Sequence, residues 1–149
     1  MLTLSLKKDI KDLMDRMDFG LLDDPEIKEE DGIYFVSLFV DEPRTLIGER
    51  GHTLRSVESI FRIMSVKKYG PDVRISLDVN GYKQKRAEFL KSLAYSTRQR
   101  VIKENKNIEL EPMNAFDRRI IHAALSEYQD IETESAGEDQ ERRVVVRLA

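Results

Sequence analysis

The sequence predicts an α+β fold in two small modules. An α-β-β-α-α-β module spans residues 1–80, and a small α/β module spans residues 81–149. Three observations carry this expectation. The apolar residues change period along the chain, from the 3.6 of helices to the 2 of strands and back. Asp31-Gly32 and Asn80-Gly81 punctuate it at a hairpin and at a module boundary. The 149 residues, 40% hydrophobic and 36% charged, suffice for one ordinary domain or for two small ones that support each other.

Each element follows in order. Leu6, Ile10, Leu13, Met14 and Met17 fall on one helical face, and Asp18-Phe19-Gly20 ends that helix. Glu26 to Glu30 predicts a short edge strand. Asp31-Gly32 turns it into a second strand, Ile33 to Val40, whose nearly continuous apolar character predicts cover on both faces or a central place in a sheet. Pro43 starts a short helical turn that runs into Gly48. Leu54, Val57, Ile60, Phe61 and Met64 then recur at helical spacing, and Tyr69-Gly70-Pro71 stops that helix. Val73, Ile75, Leu77 and Val79 alternate with polar residues, as in a half-buried strand.

Beyond Asn80-Gly81, a long helix carries Leu90, Leu93, Ala94, Thr97 and Val101 on one face. Ile108 and Leu110 predict a short strand. Asn114 caps another helix, with Asp117 placed where the helix dipole favours an anion. Ile131 and Thr133, then Val144, Val146 and Leu148, predict two strands around the loop Ala136-Gly137-Glu138-Asp139.

Composition narrows the function. There are no cysteines, which excludes disulfides and thiolate metal sites and fits a reducing cytoplasm. Two histidines, His52 and His122, are too few and too far apart in sequence for a metal cluster, so no metal and no cofactor is expected. Lys7, Lys8 and Asp9 break any leading apolar run, and the longest apolar stretch is far too short to span a bilayer. A soluble, cytoplasmic protein is the expectation. The net charge of −3 is uneven: between Lys83 and Lys106 there are eight basic residues against two acidic ones, Glu88 and Glu104. Local basic surface matters more for phosphate contact than the total.

The stretch "LIGERGHTL" places Gly48 and Gly51 between two helices. Glycine lets another backbone pack closely and tolerates positive φ. The first N–H groups of the helix after Gly51 lack intrahelical partners and favour an anion. A sugar-phosphate backbone satisfies both conditions. Gly-x-x-Gly alone is weak, since about 0.7 are expected by chance in a chain this long; its place between two helices gives it weight. Glu49 and Arg50 cancel, so phosphate contact would lean on backbone N–H groups, Arg50 and Arg55.

In "EPMNAFDRRIIHAAL", Arg118 and His122 stand four apart on one helix face, with Phe116, Ile120, Ala123 and Ala124 expected to pack inward. The pair is thereby expected to face solvent, with an arginine gripping phosphate and a histidine donating to it or stacking beneath a base. An exposed His122 would titrate near pH 6.5 and bind better when protonated. The bland alternatives are a surface pair without a role, or a partly buried His122 bonded to a backbone carbonyl. Arg119, Arg142 and Arg143 would extend the basic surface.

The first module resembles a type II KH domain, whose Gly-x-x-Gly loop clamps roughly four nucleotides of single-stranded RNA. The Arg-x-x-x-His helix resembles the R-three-H domain, a small module that binds single-stranded nucleic acid. The two in succession, carried by "LIGERGHTL", "LDVNGYKQKR", "EPMNAFDRRIIHAAL" and "RRVVVRL" over about residues 30–149, resemble the bacterial Jag family, also called KhpB or EloR. The resemblance implies single-stranded RNA as partner, with single-stranded DNA a further candidate. It implies RNA-level regulation linked to cell elongation and division, a second KH protein as homo- or heterodimer partner, and peripheral association with the SpoIIIJ membrane insertase. It places RNA contacts on Gly48, Glu49, Arg50, Gly51, Arg55, Arg118, Arg119, His122, Arg142 and Arg143. Many relatives carry a further N-terminal domain, and the expectation here is that it is lacking.

Two competitors remain. No nucleotide-binding Gly-x-x-x-x-Gly-Lys loop, cysteine nucleophile or paired-histidine metal pattern occurs, so no catalytic residue is predicted. A KH module serving as a protein-interaction or dimer surface, with weak or lost RNA binding, is the other reading.

Overall fold

The computed structural model describes residues 1–149, which divide into two compact units, Met1–Lys83 and Gln84–Ala149. The first unit runs α1 (Leu2–Arg16), β1 (Glu26–Glu30), β2 (Ile33–Leu38), α2 (Pro43–Ile47), α3 (His52–Tyr69) and β3 (Arg74–Val79). Its sheet has the order β1-β2-β3, with β1 antiparallel and β3 parallel to β2. The β1–β2 hairpin closes on two residues of positive φ, Asp31 at 52° and Gly32 at 74°, a turn whose twist matches that of the strands.

The core of this unit gathers Leu6, Ile10 and Met14 of α1, Leu54, Val57 and Phe61 of α3, and Val36, Leu38, Ile75, Leu77 and Val79 of the sheet. β2 takes the expected central place, with Phe35 exposed on one face and Val36 and Leu38 buried on the other. Two details differ from the sequence expectation. β2 ends at Leu38, and Val40 makes only an isolated bridge to Leu21. On α3 the buried stripe is Leu54, Val57, Phe61 and Ser65, whereas Ile60, Ile63 and Met64 are exposed. A helix packed on a single sheet buries only one stripe, so apolar residues beyond it stay outside.

The second unit contains most of α4 (Tyr82–Glu104), then β4 (Ile108–Glu109), α5 (Ala115–Leu125), β5 (Ile131–Ala136) and β6 (Arg143–Leu148). Its antiparallel sheet has the order β4-β6-β5. Leu90, Ala94 and Val101 of α4 meet Ile121 and Leu125 of α5 and Ile131, Val144 and Val146 of the sheet. The units divide after Lys83, three residues beyond Asn80. Tyr82 lies against Gly51, and the Lys83 ammonium bonds Glu58 at 2.6 Å and Ser76 at 3.0 Å, which ties the first residues of α4 to the first unit. Glu58 also accepts from the Leu77 N–H at 2.8 Å, occupying a backbone donor on the outer edge of β3. No helix of the chain is long and apolar enough to cross a membrane.

Candidate nucleic-acid interface

The glycine loop is built by local backbone geometry. Pro43 supplies the first-turn residue of α2 and Leu46 anchors the helix in the core. Gly48 closes α2, donating to the Arg44 carbonyl at 2.8 Å, with φ 73° and ψ −179°. Glu49–Gly51 forms one 3₁₀ turn in which Arg50 has φ 53° and Gly51 φ 76°, and α3 begins at His52. Gly48 occupies a region open essentially only to glycine. A Cβ there would collide with Thr53 Oγ1 and stand 2.9 Å from the Thr53 backbone nitrogen. A Cβ on Gly51 would lie 2.7 Å from Cε1 of Tyr82. Gly48 is thus required by the backbone itself, whereas Gly51 is favoured by its left-handed φ and by the Tyr82 ring beside it. Glu49 and Arg50 are exposed at the tip. Arg55, half-buried one turn into α3, has no ion pair.

The second cluster forms on α5. The Asn114 side chain accepts from the Asp117 N–H at 2.9 Å, capping the helix. Asp117 is buried, and Arg86 donates to its Oδ2 from Nε at 3.2 Å and Nη2 at 3.0 Å. Met113 joins two arginines distant in sequence. Its carbonyl accepts from Arg118 Nη1 at 2.6 Å, and its N–H donates to the Arg142 carbonyl at 3.1 Å. Arg142 in turn donates from Nη1 to the Gly137 carbonyl at 2.9 Å.

His122 is not displayed to solvent as expected. It is half-buried, with Nδ1 2.7 Å from Thr133 Oγ1 and Nε2 2.9 Å from Ser135 Oγ, both on β5. Burial first, and the Arg118 charge second, hold its imidazole below the ordinary 6.5. The expected inward face also shifts. Asp117, Ile121 and Leu125 are buried, Ile120 and Ala124 are half-buried, and Phe116 and Ala123 are exposed. The helix has turned so that Arg118 and His122 border the sheet. Thr133 and Ser135 were missed as site residues. Their alternation with Glu132 and Glu134, on the face of Ile131, was the available signal.

Arginine partners sort this surface. Arg86, Arg98, Arg100, Arg143 and Arg147 are each ion-paired with a carboxylate. Arg118 and Arg142 bond only carbonyls, and Arg119 has only the ring of Phe116, 6.0 Å away. The structure thus brings Arg118 and His122 together and ties the Arg142 backbone to Met113, whose carbonyl holds the Arg118 guanidinium. It sets Arg119 on the outer face of α5 and engages Arg143 with Glu109 at 2.8 Å.

Residues 88–148 match the family model for the R-three-H domain, taking in α5 and the whole second sheet. The chain is 33% identical over 139 residues to the RNA-binding protein KhpB of Clostridium symbiosum, covering 93% of this chain and 63% of that protein. It is 38% identical over 103 residues to RNA-binding protein KhpB of Bacillus subtilis, covering 68% and 50% respectively. The chain is similar to KhpB (Jag) proteins over nearly its whole length. The corresponding match to KhpB of Lactiplantibacillus plantarum is 37% over 103 residues, 69% of this chain and 32% of that protein. The chain therefore spans from about a third to just under two thirds of the length of these KhpB relatives. The match to the first of them extends well beyond the R-three-H segment, since that segment starts only at residue 88.

Proposed function

We propose that the chain binds single-stranded RNA through two contacts on one strand. The Gly48–Gly51 loop, with Glu49, Arg50 and Arg55 around it, lies against one stretch of sugar-phosphate backbone. The cleft of Arg118, His122 and Arg142 holds another, with Arg119 beside it. The observation that carries this reading is that the guanidinium groups of Arg118 and Arg142 bond only backbone carbonyls, of Met113 and Gly137, and neither is neutralised by a carboxylate, while the Met113 backbone links the two segments. Each guanidinium spends one N–H on a carbonyl and keeps donors for phosphate oxygens. His122 has both ring nitrogens engaged by hydroxyls and favours its neutral form, so it offers a flat face for a base rather than a charge for a phosphate. Arg143, engaged by Glu109, acts as a brace for the β4–β6 pair rather than as a contact.

The relatives named RNA-binding protein favour RNA as the ligand, with single-stranded DNA the second candidate. The wider role we propose is post-transcriptional regulation linked to cell elongation and division in the cytoplasm. It would be exercised with a second KH protein and near a membrane insertase, without catalysis. Replacing Arg118 or Arg142 by alanine tests the cleft. Losing a charged hydrogen bond to phosphate corresponds to about tenfold or more in affinity. Losses in both variants while the thermal midpoint barely moves support the cleft; unchanged affinity in both removes it.

Exposed Ile60, Ile63 and Met64 on α3 favour a second reading, in which the first unit is an interaction or dimer surface. Ile63→Lys, followed by sedimentation, tests it. A dimer that dissociates in the variant while RNA binding persists would assign α3 to assembly and leave the RNA contacts where they are proposed.

A further inference from the structure

Two of the largest exposed apolar side chains of the second unit are rings with an arginine beside each. Phe89 on α4 is 56% exposed and Phe116 on α5 is 63% exposed. The Arg86 guanidinium stands 5.3 Å from the centre of the Phe89 ring, and that of Arg119 stands 6.0 Å from the Phe116 ring. One buried anchor serves both pairs. Arg86 is fixed on Asp117, which is 5% exposed and itself bonded to Asn114, and Phe116 immediately precedes Asp117. Phe89 lies one helical turn after Arg86, so the same ion pair positions both ring-bearing segments. Burying these phenyl rings would be favourable, yet neither joins the adjoining core of Leu90, Ile121 and Leu125.

The chemistry of this patch is specific. A phenyl face with a guanidinium near it accepts another planar π system, and every nucleobase has one. Arg119, with no carboxylate partner, adds a cation for the phosphate between stacked bases. The patch is also distinct from the cleft. On α5, Phe116 and Arg119 lie on the exposed face, while Arg118 and His122 border β5. We infer that Phe89 and Phe116, with Arg119, form a stacking platform for bases of the RNA strand flanking the segment held in the Arg118–His122–Arg142 cleft. This rests on the proposed RNA binding and extends its footprint around the N-terminal end of α5.

The test uses the full chain and end-labelled oligouridylates of about four and about twelve nucleotides, spanning the range of single-strand site sizes, read by fluorescence anisotropy. Phe116→Leu and Phe89→Leu keep an apolar side chain but remove the π face. Each should weaken the longer oligonucleotide by about fivefold to a hundredfold and leave the shorter one unchanged. Phe116→Tyr should bind like the parent. An otherwise identical long oligonucleotide with abasic flanks should bind parent and Phe116→Leu equally. Arg118→Ala should weaken both lengths, which separates the two sites. If both leucine variants bind the long oligonucleotide like the parent while Arg118→Ala still loses affinity, the platform is overturned, the cleft stands, and the rings are left to a protein partner. If the parent binds neither length, both readings fall together.

Discussion

Replacing Gly48 by alanine should damage the first unit more than replacing Gly51, and the difference follows from backbone geometry. At φ 73° and ψ −179° Gly48 sits in a region that costs an L-residue roughly 1–3 kcal/mol. The added Cβ also meets the Thr53 side chain and stands 2.9 Å from the Thr53 nitrogen, which cannot move without shifting the start of α3. Gly51, at φ 76° and ψ 14°, lies in the left-handed helical region, where alanine costs about 1–2 kcal/mol. Its nearest obstacle is the Tyr82 ring at 2.7 Å, a side chain rather than backbone. Gly48→Ala should therefore destabilise by about 3 kcal/mol and Gly51→Ala by roughly half as much. Adding Thr53→Ala should recover part of the Gly48→Ala loss, because it removes the closest contact, with Oγ1, but leaves those with the Thr53 Cβ at 2.7 Å and the backbone nitrogen at 2.9 Å. Urea denaturation followed by circular dichroism reads all four proteins. Equal losses at the two glycines, or no recovery with Thr53→Ala, would refute the assignment of Gly48 as the constrained hinge.

Two further perturbations address charge. Glu49 is exposed at the loop tip, so Glu49→Lys should leave stability within about 0.5 kcal/mol and strengthen RNA binding in a filter assay; unchanged affinity would remove the loop from the contact surface. His122, held below 6.5 by burial and by Arg118, should remain neutral in the folded protein when it already gains a proton in the unfolded chain. Its contribution to stability is thus present above about pH 6.5 and lost as pH falls through that value towards the depressed one. A thermal midpoint that declines with acidification in the parent but less in His122→Gln checks the sign. RNA affinity should not rise between about pH 7.5 and 6.5, the opposite of what an exposed histidine would give.

Local patterns were legible because their causes are local. The stripe Leu6, Ile10, Met14 on α1, the Asp31-Gly32 turn, the alternation through β3 and the Asn114 cap all depend on neighbours within a few residues. What escaped depends on partners far along the chain. Ile60 and Met64 fit a helical stripe, but one sheet face is too narrow to cover them. His122 and Arg118 share a helix face, yet the hydroxyls that bind the imidazole come from β5, and the link from Arg118 to Arg142 runs through the Met113 backbone. Phe116 reads as a core residue by spacing. Asp117 takes the inward position instead, because Arg86 on α4 supplies the charge that lets a carboxylate be buried.

The most direct test of the account is the affinity of the whole chain for one RNA sequence, single-stranded and as a duplex, across a range of salt. If Arg55, Arg118, Arg119 and Arg142 each contact a phosphate, the logarithm of the binding constant should fall with that of salt at a slope of about −2.8, from about −0.7 per contact on a single strand. The single strand should bind more tightly than the duplex at every salt, because its bases can leave the stack to meet the His122 face. Equal affinity for the two forms, or binding indifferent to salt, would contradict the account.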